Sequence, residues 1–119
     1  MSMLRDAVIC FQYAERIKSE LIIATKLLEQ LETLKDSELE GAKKLMFSFL
    51  GALESEIKMA KSVSGQKNFD EIATKVWEAT ERTRLNDYEE AFRCLSEAIS
   101  ATTTSGQSAL KLLKDNGIL

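Results

Sequence analysis

The chain has 119 residues, and among them there is no proline, no histidine, five glycines, two cysteines and few aromatic residues, 7% of the total. Without proline, only glycine and capping side chains remain to interrupt a helix. Without histidine, the chain lacks the side chain best suited to proton transfer near neutral pH and commonest as a metal ligand. Cys10 and Cys94 form no CxxC pair, so they read as small core residues and not as a disulfide framework or a zinc site. The longest apolar stretch, Leu21-Ile22-Ile23-Ala24, is far too short to span a bilayer. The opening Met1-Ser2-Met3-Leu4-Arg5-Asp6 has no basic flank and apolar run of the signal-peptide kind. A cytoplasmic protein without a membrane partner is the expectation.

What is present is helical. Hydrophobic residues make up 45% and charged residues 29% of the chain, the composition of an ordinary globular domain. One domain covering residues 1–119 is expected at this length. The net charge is -3, with Lys and Arg interspersed among Asp and Glu. That disfavours the concentrated basic surface needed for nucleic acid. Apolar residues recur every three or four positions from Leu4 to Leu113, with no strand-like alternation in competition.

Three breaks divide the pattern, and each carries a capping spacing: Ser37 before Glu40, Asn68 before Glu71, and Asp87 before Glu90. Helices are expected over about 4–35, 38–63, 69–85 and from 88 to Asn116-Gly117, with Ser64-Gly65 closing the second. Short connections make neighbours antiparallel, so the expected fold is all-α, a four-helix up-and-down bundle with a long first helix. In helix three, Phe69, Ile72, Ala73, Val76, Trp77 and Thr80 are placed inward. The run Thr102-Thr103-Thr104-Ser105-Gly106 has low helix propensity and marks a kink, or an extra short helix after residue 105. Small side chains there allow close helix contact; the competing reading makes the Ser105-Gly106 amides an anion cradle at a new helix start. In this topology Cys10 and Cys94 stand roughly 14 Å apart along the axis, beyond disulfide reach.

Helices one and two carry more apolar residues than one face needs. Ile9, Tyr13, Ile23 and Leu27 form a second line on the first helix, and Phe47, Leu50 and Ile57 form one on the second. A helix apolar on two sides is central or meets another chain. A homodimer through the first two helices is therefore expected, with Ile23, Leu27, Phe47 and Leu50 at the interface. The alternative has the C-terminal Leu110, Leu112 and Leu113 fold back over Phe47 and Leu50.

Candidate chemistry is confined to carboxylates. Glu78 and Glu81 are three apart, and so are Asp87 and Glu90, a spacing that places each pair on one helix face. Two such pairs on facing helices offer oxygen ligands for magnesium. In this respect residues 78–90 loosely resemble the all-alpha nucleotide pyrophosphohydrolases, whose ExxE and ExxD motifs hold magnesium. The resemblance implies a magnesium-dependent hydrolase with Glu78, Glu81 and Glu90 facing the metal. The same residues also read as solvated charges paired to Lys75 and Arg82, with no metal and no cofactor. A third reading gathers Arg82, Arg84 and Arg93 against single-stranded nucleic acid. Residues 86–98, through Asp87, Tyr88, Ala91, Leu95 and Ala98, resemble the turn and second helix of tetratricopeptide-like hairpins and of small uncharacterised archaeal helical domains. There is no 34-residue repeat, so no tetratricopeptide array is expected. What the resemblance implies is an interaction domain without an assigned activity. The reading that best fits the whole chain is a non-enzymatic, self-associating interaction or scaffold module.

Overall fold

A computed structural model describes residues 3–118, and every regular element in it is a helix. These are α1 (Met3–Leu31), α2 (Asp36–Ser64), α3 (Asn68–Arg84) and α4 (Tyr88–Asp115). The helices form a closed ring: α1 packs on α2 and α4, and α3 packs on the same two. Among the described residues the diagonal pairs α1/α3 and α2/α4 make no comparable contact. This is the expected four-helix up-and-down bundle, 55 Å long and 19 by 17 Å across.

One left-handed residue reverses the chain at each turn. Asp36 (φ 55°), Gly65 (φ 71°) and Asn86 (φ 61°) take these positions. Glycine carries no Cβ penalty there, and Asp and Asn are the side chains that best tolerate the conformation. Around Asn86 the Asp87 amide donates to the Arg82 carbonyl at 2.8 Å, which closes α3 in the Schellman manner. Asp87 then caps α4 by accepting from the Glu90 amide at 3.4 Å, as the sequence spacing predicts. The other two expected caps differ. Ser37 lies inside α2, which has no side-chain cap, and Asn68 turns its amide to Ser105 Oγ on α4.

The core runs the length of the ring. Ile17, Leu21, Leu28, Leu50, Ile57, Phe69, Ile72, Val76 and Leu95 are its largest fully buried apolar side chains. α4 is continuous through Thr102–Gly106, so neither a kink nor an extra helix follows residue 105. Thr102, Thr104 and Ser105 hydroxyls donate to the carbonyls four residues back, which satisfies them inside the helix. A Cβ on Gly106 would stand 3.4 Å from Ala14 Cβ, so this stretch serves close packing of α4 on α1.

Three placements correct the sequence reading. Leu50 is completely buried, as is Ile57, so the second apolar line of α2 points into the core. α2 lies between α1 and α3, and its buried arc is centred between those neighbours, which rotates it toward Leu50 and Ile57. Trp77 is 54% exposed on the outside of α3, while Ala79 and Thr83 take the inward positions beyond Val76. Leu113 is buried, and Leu112 lines a cleft with Met3 and Ala7 of α1, so the C-terminus does not fold back over Phe47. Leu50→Ala is expected to cost about 2–5 kcal/mol in denaturant unfolding. Its neighbour Gly51, exposed with nothing within 4 Å of an added Cβ, gives the opposite sign: Gly51→Ala should stabilise by up to about 1 kcal/mol.

Candidate functional site

The α3/α4 surface holds the carboxylates singled out by sequence, and the fold gives each of them a cation. Glu78 pairs with Lys75 at 3.5 Å and Glu81 with Arg84 at 3.5 Å. Glu90 pairs with Arg93 at 2.7 Å, and the same guanidinium reaches Glu97 at 2.6 Å. Asp87 caps α4 and lies 3.7 Å from Arg82. Arg93 holds the Glu90 carboxyl below its ordinary value, and Lys75, then Arg93, do the same for Glu97. Values lowered by folding contribute stability above the unfolded value and lose it as the pH falls through the folded one. Among the described residues no three Cys, Asp or Glu side chains converge on a position where a metal ion could sit. The arginines are likewise engaged, Arg84 also lying over the Phe47 ring at 4.4 Å from its centroid. Glu78, Glu81, Arg82 and Arg93 line one cleft of about 360 Å³, and each of them is paired with an opposite charge.

The thiols offer little more. Cys10 and Cys94 are free and buried, and burial pushes both pKa values up. Cys10 lies against the Ser105 carbonyl at 3.9 Å, in a cleft of about 480 Å³ between the start of α1, the α2/α3 turn and the last part of α4. A thiol held protonated is a poor nucleophile. Cys94 faces Glu78 of α3, far along α4 from the Ser105 level where Cys10 sits.

The outer side of the α1/α2 hairpin is different. Ile23 and Leu27 point outward, 48% and 41% exposed. Beside them on α2 the exposed apolar residues are Leu45, Met59 and Val63, at 75%, 58% and 43%. Phe47, expected here, instead lies half-buried under Arg84 toward α3, and Leu50 is in the core. The sequence signal that would have found Leu45 and Met59 is their spacing. Along α1 and into the turn after it, pairs four apart recur every seven residues: Ile9 and Tyr13, Arg16 and Glu20, Ile23 and Leu27, Gln30 and Leu34. On α2 the same rhythm gives Ala42, then Leu45 and Phe49, Ala52 and Glu56, Met59 and Val63.

Two contacts fix the register between these rows. Leu27, Leu34, Ala42 and Leu45 line one apolar cleft of about 180 Å³. About three turns further along, Arg16 Nε donates to Glu56 Oε2 across the helix pair. The antiparallel hairpin therefore stacks its outer residues in layers, all apolar-rich save one. That layer holds Arg16, Glu20, Ala52 and Glu56, and Arg16 also lies over the Tyr13 ring at 5.4 Å. Glu20 Oε1 is buried and finds no donor. Burial, then the hydrogen-bonding contact with the Glu56 carboxyl, raise the Glu20 pKa to about 7 against the opposing pull of Arg16. A value raised by folding means that this group's stability is fully present below its unfolded value and is lost as the pH rises through about 7.

Compared with protein-family models, curated proteins and solved structures, the chain gives no match. No helix among the described residues is long and apolar enough to cross a membrane.

With each of these carboxylates paired to a cation, the chain is expected to unfold at the same temperature in millimolar magnesium as in sodium chloride of equal ionic strength. A midpoint raised by magnesium, and no longer raised in Glu81→Gln, would restore the metal reading; a ligand at 100 times its dissociation constant adds about 2.7 kcal/mol.

Proposed function

We propose that this protein is a cytoplasmic, non-enzymatic interaction module that self-associates through the outer face of α1 and α2, most simply as a two-fold homodimer. The observation that carries the reading is the exposed row of Ile23, Leu27, Leu45, Met59 and Val63 on that one face. Scattered exposed apolar residues are ordinary, but a row of them aligned along one face of a helix pair is not. Rows repeating every seven residues suit contact with another helix along the length of the strip. The layers span roughly 30 Å, enough length for a helix pair to meet its copy.

A second copy is the occupant because the face complements itself. Apolar layers meet apolar layers, and the one charged layer contains both signs, Arg16 against Glu20 and Glu56. The two buried free thiols fit a reducing compartment. Ile23 and Leu27 keep the interface role expected from sequence, while Leu45, Met59 and Val63 take the place of Phe47 and Leu50.

Sedimentation equilibrium tests the reading. The natural chain should have twice the 13.3 kDa mass of one copy. Leu27→Glu with Leu45→Glu should return it to one copy with its helical circular dichroism intact, since both side chains are exposed. A mass of one copy for the natural chain, or two copies in the folded double variant, would refute it.

A further inference from the structure

The charged layer in the middle of an apolar strip calls for its own explanation. Arg16, Glu20 and Glu56 occupy positions whose counterparts one layer away are Ile23, Leu27 and Phe49. Polar layers in helical seams fix register at a cost in stability. In any two-fold arrangement that matches layers by kind, this layer meets its own copy. Its charge then decides whether the contact is tolerated.

We propose that the Arg16–Glu20–Glu56 layer makes self-association proton-dependent: two copies join while each holds one proton between Glu20 and Glu56, and separate when it is lost. The inference rests on the self-association reading above. With the proton in place, Glu20 donates to Glu56, Arg16 balances the remaining carboxylate, and the layer is neutral. The proton also supplies a donor in a cluster where Glu20 Oε1 has none. Once it leaves, each layer carries one net negative charge, and the two face one another out of water, where like charges repel strongly.

The groups around Glu20 are few. Glu56 is the charged group that α2 brings, and Arg16 is the one on its own helix; among the described residues α4 brings none. Glu20 is raised to about 7, and burial in a dimer moves it further in the same direction. The chain has no histidine, and both thiols are pushed above their ordinary values, so few other side chains titrate near neutrality.

The experiment is sedimentation equilibrium of the natural chain and of Glu20→Gln at pH 6 and pH 8.5, with circular dichroism to confirm the fold. Glutamine keeps a donor for Glu56 and cannot ionise. The natural chain is expected to dimerise at least about tenfold more weakly at pH 8.5 than at pH 6, a proton-linked change. Glu20→Gln should bind as tightly at both values as the natural chain does at pH 6. A dimer of unchanged affinity across this range, or a pH dependence that survives in Glu20→Gln, overturns the inference and leaves self-association standing. A single copy at both values, in both proteins, overturns self-association and this inference with it.

Discussion

A helix in a ring of four has two neighbours, and the arc it can bury is set by where they lie. That constraint governs the whole molecule. α1 and α4 come close enough that Gly106 faces Ala14 with no room for a large side chain. α2 and α3 then fill the remaining sides, with α3 much the shortest at 17 residues. Apolar residues within the arcs become the core, from Ile17 and Leu21 to Phe69 and Leu95. Those outside the arcs have nowhere in one copy to go, and on α1 and α2 they line up.

The alternation of charges on the other surfaces follows from the same geometry. Glu78, Glu81, Glu90 and Glu97 lie where Lys75, Arg84 and Arg93 reach them within one helical turn or across the α3/α4 contact. Exposed pairs of this kind contribute little stability each, about 0–1 kcal/mol. Their effect is to occupy the carboxylates and cations that sequence spacing alone offered to magnesium or to phosphate. Glu20 Oε1, buried without a hydrogen-bond partner, lies on the apolar face instead.

Helix number, order and approximate ends were legible because no proline interrupts the three-to-four-residue period and short turns force antiparallel neighbours. Asp87 declared itself as a cap through Glu90 three residues on. Rotation about each helix axis was harder to read. α2 is apolar almost all round from Leu45 to Leu50, so periodicity could not choose between Phe49 and Leu50 as the inward side chain; the positions of α1 and α3 made that choice. Trp77 sits one residue beyond Val76, and a step of about 100° carried it from the core to the surface. Propensity argued against helix at Thr102–Gly106, yet hydroxyl back-bonding and the close contact with α1 prevail there. The charged layer escaped notice because Arg16 and Glu56 are 40 residues apart in sequence.

Everything proposed for function turns on whether the outer face of α1 and α2 is covered by another copy. Hydroxyl-radical footprinting reads this directly, because Met59 lies on that face at 58% exposure while Trp77, at 54%, lies on the outside of α3. At pH 6, Met59 should be protected at high protein concentration and oxidise faster on dilution, with Trp77 unchanged throughout. Oxidation of Met59 at one rate across all concentrations would contradict the account.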